Sequence, residues 1–447
     1  MREIEKRRER EDDHLTDVLS IVIFGLCLLL FIINKIPLAL TAIMGLAAMV
    51  VLNVCSYDEA FAFFGSEAVI LICCMMVVGK ASFQTGLAQS IGFKVLSLAR
   101  GNERMLAVVG TAITGVMSAF LSNIATLSIM IYMVNGICEA NPKIKARNLI
   151  MPIAMGAVLG GMATLIGSTP QLTAQGLLES YLGDGNGFDF FTFSIPGALI
   201  ILATVLYVAF IGYPLGKRLW GNRESTEDLS EAGKTYAEGE MHPEKKGVMA
   251  VIFILMLLMF FGMSVIQRFI PQFDLAIVAI ISASACILSG CIRFGDALKS
   301  IGWNLVIWLA SSLGMAGAVN SSGGGELIAG LFTGILNQNT PPMLIFTAFV
   351  SVTVLLTHFL SNSTAVTIVL PIALSILPDM GYSVYPFAVG ITMGSAIAIA
   401  TPVANTTIAM SMVAGYKFSD YWKYGGPLVI ISTLIVILVV PILYPMV

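Results

Sequence analysis

Long apolar stretches constrain the fold of this 447-residue chain more than any other feature. Residues 247–266 and 427–447 contain no charged side chain, and each has about the 20 residues that a helix needs to cross a bilayer. Across the chain 57% of residues are hydrophobic and 11% are charged, whereas about 25% are charged in a soluble domain. The sequence therefore predicts an all-α polytopic membrane protein embedded in a lipid bilayer.

The charge and the cysteines exclude several other classes of protein. A net charge of −3 provides no basic surface for nucleic acid. The seven cysteines have the spacing of neither a zinc site nor a disulfide framework. The apolar segments contain no His/Glu metal cluster and no Gly-x-Ser-x-Gly nucleophile elbow, so we do not expect an enzyme.

The apolar segments predict the course of the chain through the membrane. Ten are predicted to span it: 17–34, 38–55, 67–84, 148–178, 192–216, 247–267, 272–291, 303–320, 384–413 and 427–446. Two more, 105–140 and 342–377, are interrupted midway by polar residues, which predicts helical hairpins that enter and leave on one side. Segments 87–98 and 325–337 occupy equivalent places in the two halves, and the amphipathic pattern of the first predicts helices lying along the membrane interface.

The basic residues between the predicted spans fall on one side of the membrane if the hairpins do not cross it. The opposite side receives only Arg268 between spans. The positive-inside rule assigns the basic side to the cytoplasm, so we predict an inner-membrane protein with both termini outside. The polar N-terminal tail, 1–16, then lies outside, and the polar stretch 217–246 is a cytoplasmic linker.

The two halves of the chain repeat the same motifs. The Ser-Asn pair at 122–123 recurs at 361–362, 239 residues later. Residues 17–216 and 247–447 each contain five predicted spans. Because five is an odd number, the second half must be inverted relative to the first, as in many transporters whose site lies at the midplane.

Polar clusters lie at the tips of both predicted hairpins, at 117–126 and 357–364. Polar side chains and non-helical backbone are costly in lipid unless they line a cavity inside the protein. The carbonyls that end one helix suit Na⁺, and the free amides that begin the next suit an anion. Interhelical hydrogen bonding is the alternative role, but two clusters at matching places favour a binding site.

Two of the predicted spans contain a proline among small polar residues, at 166–171 and 399–407. Proline removes a backbone hydrogen bond and breaks or kinks a helix, so we expect unwound backbone facing the hairpin tips, with a simple kink as the alternative. Neither the tips nor these breaks contain Asp or Glu. Proton-coupled carriers usually need such a carboxylate, so its absence favours sodium coupling.

Four titratable residues stand apart from this pattern. We expect Lys80 to reach the cytoplasmic interface, with a fixed positive charge beside a cavity as the alternative. His358 precedes the second tip, where hydrogen-bonded packing is favoured over proton sensing. Asp274 and Glu326 lie near the outer ends of their segments, where we expect them to be solvated.

The Ser-Asn tips and the proline-containing breaks resemble those of the divalent-anion/sodium symporter (DASS) family, within the ion transporter superfamily. The resemblance covers nearly the whole chain from residue 17. It implies a homodimer with a scaffold domain and a transport domain that carries the substrate by an elevator-like shift. The family's extra first helix has no counterpart here, which agrees with ten spans.

The resemblance also implies two sodium sites and one substrate site. One sodium site would use Ser118, Ser122, Asn123 and Gly167, and the other Thr357, Leu360, Asn362 and Ala400, largely through carbonyls. The substrate would contact Asn123, Ile124, Ser168, Thr169, Asn362, Ser363, Thr401 and Pro402. The family pattern at each tip is Ser-Asn-Thr. Here Ile124 replaces one threonine and removes its hydroxyl, whereas Ser363 replaces the other and keeps it.

These observations lead to one expected function and several alternatives. We expect a sodium-driven symporter of a small anion, with a di- or tricarboxylate as the family default. Because Ile124 departs from the pattern, an oxyanion carrier for sulfate or arsenite and a sodium/proton antiporter remain open. A channel or a non-transporting membrane receptor is an alternative of a different class.

Overall fold

A computed structural model describes residues 2–33, 35–87, 89–90, 102–141, 143–183, 185–220, 242–270, 272–322, 341–402 and 405–446. All regular secondary structure in these ranges is helical, which confirms the predicted all-α fold. The predicted interfacial helix 325–337 and Glu326 lie outside the described residues. So do most of 87–98 and most of the linker 217–246.

The first half of the chain forms helices α1 to α10. They are α1 (Arg2–Ile33), α2 (Leu38–Val51), α3 (Tyr57–Ala62), α4 (Glu67–Gln84), α5 (Glu103–Ser118), α6 (Asn123–Ala140), α7 (Ala146–Gly161), α8 (Thr169–Leu182), α9 (Ser194–Tyr207) and α10 (Tyr213–Trp220). One turn of π-helix joins α9 to α10. Helix α1 runs through both the predicted polar tail 1–16 and the first predicted span. The Glu, Lys and Arg residues of the tail are good helix formers, which accounts for the continuation.

The second half forms helices α11 to α20. They are α11 (Lys246–Phe261), α12 (Met263–Ile266), α13 (Leu275–Leu288), α14 (Phe294–Ser300), α15 (Trp303–Ser321), α16 (Pro342–Leu356), α17 (Asn362–Ile376), α18 (Val384–Ser395), α19 (Thr406–Met410) and α20 (Phe418–Leu443). Both predicted hairpins are therefore helix pairs with a short turn, α5–α6 and α16–α17. Both predicted breaks separate two helices, α7 from α8 and α18 from α19.

Several of the described helices are long and apolar enough to cross a bilayer. They are Tyr57–Gln84, Ser194–Trp220, Asn362–Met380 and Phe418–Leu443, together with the pair α14–α15, which is bent by 54°. Other apolar helices are shorter, 10–17 residues, and include α7 and the hairpin arms α6 and α16. A broken span and a re-entrant arm each supply only part of a membrane crossing, which explains the shorter lengths.

Close helix contacts explain the glycine motifs that repeat between the halves. A Cβ atom on Gly156 would lie 2.7 Å from the Thr111 carbonyl oxygen, and one on Gly160 would lie 2.2 Å from that of Gly115. Helix α7 therefore packs backbone to backbone on α5, as small residues allow in membrane proteins. In the second half Gly390 leaves room for an aromatic ring of α16, since a Cβ there would lie 2.5 Å from it.

Helix packing brings the two halves together at the centre of the molecule. Each hairpin packs against the helix that precedes a break: α5 and α6 against α7, and α16 and α17 against α18. The helix that follows each break packs against the opposite half. Thus α8 contacts α17, and α19 contacts α6 and α7. Each hairpin tip is consequently close to the break of its own half and to the restarted helix of the other.

Arg147 is buried, with 5% of its surface exposed, although the sequence placed it among the cytoplasmic loop charges. Its Nε donates to the Ala414 carbonyl at 2.7 Å. The hydroxyl of Tyr416 donates to the Arg147 carbonyl and accepts from the Met151 amide at 2.9 Å. These bonds fix the start of α7 to the segment after α19, so this arginine serves the contact between the halves.

Two of the titratable outliers have defined partners or burial. Asp274 caps α13, accepting from the Ile277 amide at 2.7 Å, and is half-buried, so it is not the fully solvated residue we expected. A capping carboxylate is stabilised by the free amides at the start of a helix. Lys80 is half-buried within α4.

Candidate functional site

The first hairpin tip is a four-residue turn between α5 and α6. Ser122 is the N-cap of α6, and its hydroxyl accepts from the Ala125 amide at 3.3 Å. Its carbonyl accepts from the Thr126 amide at 2.9 Å. Both oxygens of Ser122 therefore stabilise α6, while Ser118 and Asn123 face each other across the turn at 2.7 Å.

The carboxamide of Asn123 lies within a group of oxygen atoms. One of its two end atoms is 2.7 Å from the Ser118 hydroxyl, 3.1 Å from the Gly167 carbonyl and 3.3 Å from the Ala157 carbonyl. Taken as the nitrogen, that atom carries two hydrogens, which it directs towards the hydroxyl and the two carbonyls, and the group is then satisfied by hydrogen bonds. Ser118, Asn123 and Gly167, three of the four residues predicted for the first sodium site, are thus in contact.

Two glycines leave the space for this group. A Cβ atom on Gly161 would lie 2.1 Å from Asn123 Oδ1, and one on Gly167 would lie 2.2 Å from the Gly161 carbonyl oxygen. Sequence reasoning named Gly167 but missed Gly161 and Ala157. The adjacent glycines at 160–161, just before the break, were the available signal, because glycine favours close backbone approach and helix ends.

The second hairpin tip repeats the first. Ser361 caps α17, accepting from the Thr364 amide at 3.2 Å. The Thr357 hydroxyl lies 3.2 Å from Asn362 Oδ1, as Ser118 lies opposite Asn123 in the first tip. It also lies 2.5 Å from the Ser395 carbonyl, at the end of α18. Two residues predicted for the second sodium site are therefore in contact with each other.

The second break is fixed to the second tip. The Thr401 hydroxyl donates to the His358 carbonyl at 2.6 Å, and Thr401 is buried, as are its neighbours Ala400 and Pro402. Leu360, the remaining residue of the predicted sodium set, is buried within the tip. The His358 ring bonds the Val354 carbonyl through Nδ1 at 2.6 Å and stacks on Trp422 with ring centroids 5.8 Å apart. This is the packing role favoured for it from the sequence.

A hydrogen bond joins residues of opposite halves at the centre. The Ser363 hydroxyl, at the second tip, donates to the Thr169 hydroxyl, at the first break, at 3.1 Å. Both residues were predicted to contact the substrate. Within 146–179 every residue is buried except Ser168 and Thr169, which are half-buried. Asn123, Ile124 and Asn362 are half-buried as well. Because Asn123 contacts Gly167 and Ser363 contacts Thr169, we take the region where these half-buried residues meet as one accessible space.

This space has the chemistry of a site for a small anion. Its hydroxyls and amides are neutral. Four helices begin near it, at residues 123, 169, 362 and 406, so the N-terminal ends of their backbone dipoles lie near it. Helix N-termini carry partial positive charge and bind anions through free N–H groups. Of the predicted substrate residues, Ser363, Thr401 and Pro402 are buried.

Comparisons with known proteins agree with this architecture. The citrate transporter family profile matches residues 28–394. An uncharacterized transporter of Haemophilus influenzae is 24% identical over 433 residues, covering 92% of this chain and 90% of the relative. The sodium-dependent dicarboxylate transporter SdcS of Staphylococcus saprophyticus is 22% identical over 444 residues, covering 93% of this chain and 84% of SdcS.

Two solved transporters share the fold. The YdaH transporter of Alcanivorax borkumensis has a TM-score of 0.61 at 13% identity, covering 96% of this chain and 97% of YdaH. MtrF of Neisseria gonorrhoeae has a TM-score of 0.63 at 13% identity, covering 96% of each chain. The structure of MtrF is described as illuminating a class of antimetabolite efflux pumps. The apolar helices and these matches describe a multi-pass membrane transporter, consistent with the resemblance to divalent-anion/sodium symporters, and the chain belongs to the citrate transporter family.

Proposed function

We propose that this protein is a secondary active transporter that couples the movement of sodium ions to that of a small carboxylate anion across the inner cell membrane. The observation that carries the proposal is the meeting of the two polar hairpin tips with the breaks of the helical spans. The Ser363–Thr169 hydrogen bond of 3.1 Å joins a tip of one half to the break of the other. Such a junction offers one shared site to both halves of a transporter.

The sodium ions are assigned to two places, one at each tip. The first is the oxygen group around Asn123, and the second is the pair Thr357–Asn362 with the Ser395 carbonyl. Hard cations prefer such hydroxyl, carboxamide and carbonyl oxygens. The distant relatives named sodium-dependent dicarboxylate transporters support sodium as the coupling ion.

The substrate is assigned to the space between the tips, and a di- or tricarboxylate fits it best. Neutral hydroxyls and helix N-termini can bind carboxylates, and the bound sodium ions would balance the remaining charge. The names of the family and of its SdcS relatives point to the same class. Export in place of uptake is the second candidate, since MtrF, which shares the fold, is named with a class of antimetabolite efflux pumps.

The mechanism that we propose is an elevator-type movement. Residues 17–216 and 247–447 would form two inverted repeats, each with one re-entrant hairpin, 105–140 or 342–377. The hairpins and the broken spans would move as a transport domain against a scaffold that forms a homodimer. The close packing of α7 on α5 supports hairpin and broken span moving together.

Uptake into proteoliposomes tests the proposal. Labelled succinate, malate, citrate and sulfate are offered with and without an inward sodium gradient. We expect uptake of at least one carboxylate, with accumulation only when the gradient is present. Uptake of every active substrate without sodium dependence would contradict the coupling, and sulfate uptake alone would indicate an oxyanion carrier. Sodium-driven proton movement, detected with a pH-sensitive dye, would indicate an antiporter.

A further inference from the structure

Four helices begin near the centre of the molecule, and one of them lacks a side-chain cap. Ser122 caps α6, Ser361 caps α17, and Asn405 caps α19 by accepting from two amides. Ser168 stands at the same position before α8, a helix of 14 residues, but its side chain accepts no amide of the first turn. The positive end of α8 is therefore the one left open towards the accessible space.

The hydroxyl that would cap α8 is used for another purpose. Ser168 donates it to Oε1 of Gln171, in the first turn of the same helix. Pro170 carries no N–H, so the first-turn backbone donors next to Ser168 are those of Thr169 and Gln171. In this bond the oxygen of the Gln171 carboxamide faces the hydroxyl. The amide nitrogen of Gln171 therefore lies on the side of the carboxamide that faces away from the Ser168 hydroxyl.

That amide nitrogen is buried without a partner. Gln171 has 0% of its surface exposed, and within the part of the chain that the structure describes its Nε2 makes no hydrogen bond. Leaving two N–H donors of an amide unsatisfied inside a protein is costly, and most such cases have an unseen partner. Ser168 and Thr169 are the two half-buried residues of 146–179, and both lie within three residues of Gln171, so they are the nearest opening in this segment for a partner.

This amide supplies a donor of the kind that the first tip lacks. Ile124 replaces the threonine expected there and offers no donor. Thr169, two residues before Gln171, reaches the second tip through its bond with Ser363. A carboxylate beside α8 would meet the free N–H groups of the helix and the two donors of Gln171 without any cationic side chain.

We infer that the Gln171 amide and the uncapped start of α8 bind one carboxylate group of the transported anion, in place of the hydroxyl missing at Ile124. This inference rests on the proposed function. It makes Gln171 a specificity-determining residue that selects a planar carboxylate with two acceptor oxygens. It also makes the site asymmetric, since the second tip recognises the rest of the anion through hydroxyls.

The test compares Gln171→Leu with wild type in proteoliposome uptake of succinate. Leucine fills a similar volume and removes both donors. We expect an apparent affinity for succinate about 10- to 100-fold lower, the loss typical of hydrogen bonds to a charged acceptor. Gln84→Leu is the matched control. The side chain of Gln84 is also buried and has no hydrogen-bond partner within the described residues, but Gln84 is the last residue of α4 and is not part of the candidate site. We expect wild-type uptake from this control.

A second ligand separates contact from structural damage. Succinamate, which has an amide in place of one carboxylate, should compete with succinate more weakly than succinate itself in wild type. In Gln171→Leu this preference should shrink by most of the same factor. The thermal stability of the ligand-free variant should equal or exceed that of wild type, because an unpaired buried amide has been replaced by an apolar group.

Three results would overturn the inference. The first is a wild-type affinity for succinate in Gln171→Leu, and the second is an unchanged preference for succinate over succinamate in that variant. Either result would mean that a buried water, and not the substrate, is the partner of the amide. A lower melting temperature together with equal loss for both ligands would indicate a structural role. If wild type transports no carboxylate at all, the proposed function itself fails, a result distinct from the other three.

Discussion

Gly167→Ala is expected to disrupt the first sodium site while leaving the fold intact. The added Cβ would lie 2.2 Å from the Gly161 carbonyl oxygen and 2.9 Å from that of Ser118. An ordinary carbon–oxygen contact is about 3.3 Å, so the backbone must move by about 1 Å. Overpacking of this kind costs about 1–3 kcal/mol. Because the displaced atoms surround the Asn123 carboxamide, the cost falls on the geometry that would hold the ion.

The expected result is a sodium requirement about 10- to 100-fold higher, since each 1.4 kcal/mol corresponds to about tenfold in affinity. It is measured as the sodium concentration that gives half-maximal succinate uptake in proteoliposomes. Gly136→Ala is the matched control, because a Cβ at that position on α6 has nothing within 4 Å. A sodium requirement in Gly167→Ala equal to that of the control would refute the assignment of this site.

Three further substitutions test other parts of the account. Ile124→Thr restores a hydroxyl beside the substrate and should raise the apparent affinity for a dicarboxylate about tenfold in the uptake assay; unchanged affinity would remove Ile124 from the site. Ser363→Ala removes the hydrogen bond between the halves and should lower apparent substrate affinity about fivefold. Ser375→Ala is the control, because the Ser375 hydroxyl donates to the Pro371 carbonyl of its own helix at 2.9 Å, and it should leave the affinity unchanged. Equal losses of affinity in both variants would show that the hydrogen bond between the halves has no role in binding. Gly415→Ala places a Cβ at a φ of 73° and 2.5 Å from a buried guanidinium. It should lower the free energy of unfolding by about 1–3 kcal/mol. Gly426→Ala should leave this free energy unchanged, because a Cβ there has nothing within 4 Å. Equal melting temperatures for the two variants would contradict the prediction.

Much of the fold follows from the sequence because its signals are local. Apolar length predicts the membrane helices, and serine or asparagine before an apolar run predicts the helix starts, as at Ser122 and Ser361. The resemblance to divalent-anion/sodium symporters also groups residues that the structure brings into contact: Ser118 with Asn123, and Thr357 with Asn362.

The parts of the site that sequence reasoning missed depend on packing between distant segments. Gly161 and Ala157 join the first oxygen group only because α7 lies against the first tip. Gln171 lies in the predicted break 166–171, but the sequence does not distinguish it from its polar neighbours there, and its significance comes from burial and an unpaired amide nitrogen. Arg147 has the sequence context of a solvated loop cation, and its burial depends on a segment more than 260 residues away.

The coupling of sodium to carboxylate movement is the central claim, and steady-state accumulation in proteoliposomes tests it most directly. Labelled succinate is allowed to reach its final internal concentration under a series of imposed sodium gradients at equal pH, and in a second series under pH gradients at equal sodium concentration. The membrane voltage is held at zero throughout. With two sodium sites, the accumulation ratio should rise at least with the square of the sodium ratio and should not respond to a pH gradient. An accumulation ratio that stays at one for every sodium gradient, or that follows the pH gradient, would contradict the account.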